Sequence, residues 1–227
     1  MGVVVVTGGT RGIGYAIARR FAESYPIVTC GRTPLHVARL RSLHPDWDVQ
    51  EADLSQKENA LAFGAYIREK YPSIAVLVNN AGAFLPGSLL QEEEASYEAM
   101  LSANLHSSYY VTRSLLPVFL TQKRGLIVFI SSIAALQAYP NGSAYSIAKA
   151  GQLSLARNLR EQLKSYNVGV TALLLGATLT DSWAGAPYPP ERFILPEAVA
   201  ELLWSIAHLP PPTVVEEVVV RPMLGDL

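Results

Sequence analysis

Short apolar runs recur along this chain, and most are unbroken by polar residues. Val3–Val6 is four valines in succession, and further runs lie at 27–30, 47–50, 74–78, 126–130, 168–175 and 214–220. A strand that is apolar at nearly every position buries both of its faces. Stretches with helical spacing separate the runs, at 12–24, 35–43, 54–70, 96–120, 144–165 and 197–208. This alternation predicts an α/β fold, a single Rossmann-like doubly wound domain with a seven-stranded parallel sheet covered by helices on both faces. The expected domain spans residues 1–227, with no internal repeat and no linker.

Composition narrows the function. Half of the 227 residues are hydrophobic and 16% are charged, which excludes global disorder. Eighteen basic residues against 19 acidic ones leave a net charge of -1, so no broad field draws the chain to nucleic acid or an anionic membrane. The mean hydropathy of +0.21 is high. Doubly buried strands account for part of it, and subunit contacts in a homodimer or homotetramer are expected to account for the rest. One cysteine, Cys30, allows no internal disulfide and points to a reducing compartment. The four histidines are scattered, so no metal site is expected. No run is long enough to span a bilayer, and no basic segment precedes an apolar one at the N-terminus. The expectation is a cytoplasmic protein with neither a membrane nor a nucleic-acid partner.

The first strand runs into Thr7-Gly8-Gly9-Thr10-Arg11-Gly12-Ile13-Gly14 and then a helix. Glycines at this junction permit a tight turn and a close approach to a phosphate, and the helix start adds free N–H groups. The spacing of Gly8, Gly12 and Gly14 differs from GxGxxG. Its position in the first strand–helix–strand unit still predicts a nucleotide site. The second strand ends at Cys30-Gly31-Arg32, where an NAD-binding sheet usually carries an acid. Arg32, with Arg11 in the turn, suits the 2′-phosphate of NADP(H). Asp53 follows the third strand; it suits either an adenine amino group or the cap of the next helix. Asn79-Asn80-Ala81-Gly82 ends the fourth strand, where the amides bond backbone and the small residues admit a cofactor.

Tyr145 and Lys149 stand four apart on one helical face. An ammonium near a phenol favours the phenolate and lowers its pKa, which makes the pair a candidate acid/base for carbonyl chemistry. Ser132 ends the fifth strand at the same sheet edge and is suited to hydrogen-bond a substrate carbonyl. Ser131 is the lesser alternative.

Together these residues resemble the classical short-chain dehydrogenase/reductase family, in its order and over three quarters of the chain. Asn104 joins them through the resemblance; read by itself it is an ordinary polar residue inside a helix. The resemblance implies hydride transfer between a nicotinamide and a carbonyl carbon, with Tyr145 as acid/base and Ser132 orienting the carbonyl. It implies that Lys149 holds the nicotinamide ribose and lowers the tyrosine pKa, and that Asn104 supports an ordered water in a proton relay. Gly8, Thr10, Arg11, Gly12, Ile13, Gly14, Arg32, Asp53, Asn80, Ala81 and Gly82 are the expected cofactor contacts, with Tyr145 and Lys149. The family's Pro-Gly after the sixth strand is Leu175-Gly176 here, while its threonine is kept as Thr180. Gly176 and Thr180 are expected to meet the nicotinamide amide.

The proline-rich stretch at 181–195 reads as a substrate loop. Phe84, Tyr139, Trp183 and Tyr188 are expected around the tetrad, with packing of the loops as the plainer reading. They favour a neutral apolar or aromatic carbonyl or alcohol as the small-molecule partner. The expected activity is NADPH-dependent reduction, of a 3-oxoacyl chain or of a general ketone or aldehyde. The alternative is a nucleotide-binding regulatory protein without turnover.

Overall fold

The computed structural model describes residues 2–227. Met1, the first residue of the expected domain, lies outside them. The strands are β1 (Val3–Val6), β2 (Ile27–Gly31), β3 (Asp48–Glu51), β4 (Ile74–Asn79), β5 (Leu126–Ser132), β6 (Gly169–Leu175) and β7 (Glu217–Val220). They form one seven-stranded sheet in the order β3-β2-β1-β4-β5-β6-β7, parallel throughout. The helices are α1 (Gly12–Ala22), α2 (Pro34–Leu43), α3 (Lys57–Lys70), α4 (Glu94–Leu101), α5 (Ser107–Gln122), α6 (Ser143–Leu163) and α7 (Pro196–Ala207).

Alternate residues of each strand face opposite layers. Val3 and Val5 join a core built with α3, α5 and α6, while Val4 and Val6 join one built with α1, α2 and α7. That is why the central strands are apolar at every position. Edge strand β7 alternates between exposed and half-buried residues and is shorter than the expected 214–220. The three expected residues 214–216 precede the strand, although the Val215 carbonyl still accepts from Thr171 Oγ1 and the Glu216 carbonyl from Ala172 N.

The predicted helix at 96–120 is three segments. α4 and α5 are joined by a π-helical turn at Ser102–His106, and Pro117 lies inside α5. Helix α3 starts at Lys57 instead of residue 54, because Asp53 closes a turn first: its Oδ1 accepts from Ser55 N and Oγ. No described helix is long and apolar enough to cross a membrane. Among the described residues no cluster of His, Cys, Asp and Glu is placed to hold a metal ion.

Strand order reverses between β1 and β4. A crevice opens outside the carboxyl ends of strands at such a switch point. The registers align those ends: Val6 pairs with Val78, Asn79 with Phe129, and Ser132 with Leu175. The residues that follow each strand therefore meet along one rim.

Candidate active site

The turn after β1 is held by side chains beneath it. Thr7 Oγ1 donates to Val78 O and accepts from Asn80 N and Ala81 N. Asn80 Nδ2 donates to Thr7 O and Gly8 O, so Asn80 ties the ends of β1 and β4 together. Asn79 points the other way, donating to Thr112 Oγ1 in the core. Thr29 Oγ1 accepts from Gly9 N and donates to Val6 O. Gly12 opens α1 with φ +56°, a left-handed conformation that side chains resist. α1 has no side-chain cap and no acid in its first turn, so its leading N–H groups face the crevice without an internal acceptor.

Gly14 sits one turn into α1, where a Cβ would lie 2.5 Å from Gly8 O and against Asn80 Nδ2. Backbone cannot yield cheaply there. Gly14→Ala is expected to destabilise the fold by about 1–3 kcal/mol, read as an earlier urea midpoint. An unchanged midpoint would remove this constraint on the turn.

The two arginines part company. Arg11 Nη1 pairs with Asp181 Oδ2 at 2.5 Å, across 170 residues of sequence. Arg32 is exposed at the end of β2, with no side-chain partner among the described residues. Asp53, committed through one oxygen to Ser55, stands half-buried behind β3. Thr10 packs over Gly31, and Thr180 lies 3.4 Å from the Cβ position of Gly12, so the β1 turn and the β6 loop touch.

Ser131 and Ser132 end β5 within the strand, two residues beyond the expected boundary. Ser132 Oγ accepts from Ala134 N, which turns the chain. Ser146 Oγ on α6 donates to Ala134 O and fixes that turn against the helix. Ser131 Oγ is buried and unbonded. Tyr145 stands half-buried on the first turns of α6. Burial pushes its phenol up to about 12, with the Ser132 hydroxyl pulling it down and Tyr139 raising it slightly. This differs from the sequence expectation, in which Lys149 lowers that pKa. Desolvation is the largest cause, and Lys149 Nζ lies 5.6 Å from the Tyr145 ring centroid.

Lys149 is itself buried, and burial lowers its ammonium to about 8. Its Nζ donates to Ile130 O at 2.9 Å and to Gln152 Oε1 at 3.3 Å. Asn104 lies in the π-helical turn. Its side chain donates to Ala83 O and Met100 O and accepts from Ala83 N, clamping the loop after β4. Its backbone carbonyl is bonded by side chains as well. That carbonyl accepts from Ser108 Oγ and from Gln152 Nε2. Sequence reasoning missed Gln152. The signal was its place on the apolar stripe of α6, three residues past Lys149.

Phe84 meets the Tyr145 ring edge-on at 5.3 Å and lies 5.9 Å from Tyr139. The loop carrying Phe84 is fastened to the segment before α6 by a bridge between Gly87 and Gly142. Trp183 packs on Phe193 within the 181–195 loop, and Tyr188 is exposed, with no ring partner among the described residues. A bridge between Thr178 and Ile194 closes the base of that loop. The C-terminal tail also reaches this rim. Asp226 pairs with Arg221, takes a bond from Arg192 through its carbonyl, and lies against Gly176. No local sequence pattern signals this return.

The sequence model for short chain dehydrogenase matches residues 2–187. A sepiapterin reductase of Chlorobaculum tepidum is 30% identical, over 99% of this chain and 98% of its own. A metagenomic short-chain oxidoreductase, solved in complex with NADP, has 29% identity and a TM-score of 0.83, over 98% of this chain and 97% of that one. The closed form of a serine dehydrogenase complexed with NADP+ has 26% identity and a TM-score of 0.89, over 99% and 96%. On sequence match, strand order and the rim that carries Ser132, Tyr145 and Lys149, this chain belongs to the short-chain dehydrogenase family.

Proposed function

We propose that this chain is an NADP(H)-dependent oxidoreductase that reduces a carbonyl compound to an alcohol, with Tyr145 as the proton donor. The observation that carries the reading is the Tyr145 phenol beside the Ser132 hydroxyl, with the buried Lys149 ammonium one turn along the helix. The uncapped start of α1 suits a pyrophosphate, and the unpaired Arg32 suits a 2′-phosphate. Solved relatives that hold NADP support the same choice. Gly8, Thr10, Gly12, Ile13 and Gly14 would line the pyrophosphate, and Gly176 and Thr180 the nicotinamide end. Asn80, Ala81 and Gly82 would line its far wall. Asp53 keeps one oxygen free for the adenine amino group.

When bound, the reduced cofactor supplies a hydride to the carbonyl carbon. Tyr145 Oη donates a proton to the carbonyl oxygen, which balances the reduction to an alcohol. The Ser132 hydroxyl donates to the same oxygen and fixes its position. Because burial raises the phenol pKa, Tyr145 keeps its proton at neutral pH, the state an acid requires. Phe84 on the Tyr145 ring and Tyr139 beside Phe84 give this point an aromatic surface, which favours a neutral apolar or aromatic ketone or aldehyde, with Trp183 and Tyr188 of the 181–195 loop as further candidate contacts. A 3-oxoacyl chain is the competing substrate class. The assembly is read as a homodimer or homotetramer, supported by the apolar groove of Tyr109, Leu116, Leu155 and Leu159 between α5 and α6.

A panel of aryl ketones, aliphatic aldehydes and 3-oxoacyl thioesters, with NADPH oxidation followed at 340 nm, tests this reading. Turnover of at least one class is expected, and NADPH binding with no turnover across the panel would overturn it. Arg32→Asp is expected to shift the preference for NADPH over NADH by about 10²-fold, through loss of a charge-assisted pair and added repulsion. An unchanged ratio of kcat/KM values would free Arg32 from this role.

A further inference from the structure

Gln152 is completely buried, yet every polar atom of its side chain has a partner. Its Oε1 accepts from Lys149 Nζ at 3.3 Å. Its Nε2 donates to the Asn104 carbonyl at 3.1 Å and to Ser108 Oγ at 3.3 Å. An ammonium only donates and a backbone carbonyl only accepts, so the amide has one satisfying orientation. Reversing it would set N–H against ammonium and oxygen against carbonyl, with both groups buried.

We propose that Gln152 is the positioning residue for Lys149, bridging from the Asn104 carbonyl to the ammonium. The inference rests on the reading of Tyr145 and Lys149 as the acid/base pair. A chain of three elements sets the geometry. The π turn presents the Asn104 carbonyl, α6 carries Gln152 and Lys149 three residues apart, and Ile130 O of β5 takes a second ammonium proton. Two of the three N–H directions of Lys149 are thereby fixed, which leaves one donor for a ligand. A carboxamide neither gains nor loses a proton near neutral pH, so this bridge conveys orientation and not protons. Among the described residues Tyr145 is the titratable side chain placed beside Lys149. β5 and the π turn offer it carbonyls, and Ser108 is a hydroxyl behind the amide.

The test compares wild type with Gln152→Leu and Gln152→Glu in full-length protein carrying ¹³Cε-lysine, the Lys149 signal being assigned with Lys149→Met. Gln152→Leu removes the acceptor and is expected to lower the Lys149 titration midpoint by about half a unit, while Gln152→Glu raises it by about one unit or more. The basic limb of kcat should move in the same two directions, with kcat of Gln152→Leu down about tenfold. A packing role alone would lower thermal stability and leave both midpoints within about 0.2 unit of wild type, and that result overturns the proposal. If Gln152→Leu fails to fold, the near-isosteric Gln152→Glu decides by itself. The NMR midpoint needs no turnover. Shifted midpoints without carbonyl reduction would refute the proposed activity and leave the positioning role standing.

Discussion

Tyr145→Phe is expected to retain NADPH binding within about threefold and to lose about 10³-fold in kcat for carbonyl reduction, the range supplied by a positioned general acid. Phe keeps the ring and hence the edge-on packing with Phe84 at 5.3 Å. It removes only the hydroxyl, so the change reads proton transfer and not the fold. The phenol sits at about 12 because desolvation outweighs the Ser132 hydrogen bond. In reduction this keeps the acid loaded through neutral pH. In the reverse direction it makes the phenolate scarce, so alcohol oxidation should speed up with rising pH and not level off before about 12. Stopped-flow and steady-state assays on the variant check this. A loss of less than about tenfold would place the acid on another group.

The second large effect is on stability. Lys149 carries a buried ammonium whose pKa falls from 10.5 to about 8 through desolvation. Its folded pKa is below its unfolded one. Below pH 8 both states hold the proton and no slope arises. Above pH 8 the folded state releases it while the unfolded chain keeps it up to 10.5, so stability rises with pH. The gap of about 2.5 units corresponds to roughly 3 kcal/mol. The stability of wild type relative to Lys149→Met should therefore rise by roughly 3 kcal/mol between pH 7 and about 10.5. Taking the difference cancels groups that titrate in both proteins, including buried Cys30, whose thiol burial pushes up to about 12. Urea titrations of both proteins across this window measure it. Parallel stability curves would mean that Lys149 is neither buried nor charged as described. The same variant removes the ribose contact that the family resemblance assigns to Lys149, so it should lose activity while escaping this cost at neutral pH.

Much of this site was legible because its parts follow from local rules. A doubly buried strand must be apolar throughout, and that pattern marked β1, β4, β5 and β6. A strand–glycine turn–helix sequence marked the crevice, and four-residue spacing put Tyr145 and Lys149 on one face. Other parts depend on contacts that distance in sequence conceals. The Arg11–Asp181 pair and the return of Asp226 to Gly176 join segments that share no local signature. The π turn at Ser102–His106 uses residues equally compatible with an α-helix, so the predicted 96–120 helix ran straight through it. The bond from Gln152 to the Asn104 carbonyl was hidden for that reason. The Tyr145 pKa was misjudged because the sequence shows which charge is near and not how much water is gone.

Hydride transfer to a carbonyl carbon is the central claim, and isotope transfer measures it directly. The protein is incubated with NADPH carrying deuterium at both C4 positions of the nicotinamide and a ketone that it consumes, and the alcohol is analysed by mass spectrometry and NMR. One deuterium on the carbinol carbon is the predicted result. Alcohol without deuterium, or bound NADPH that reduces none of the carbonyl classes, would contradict it.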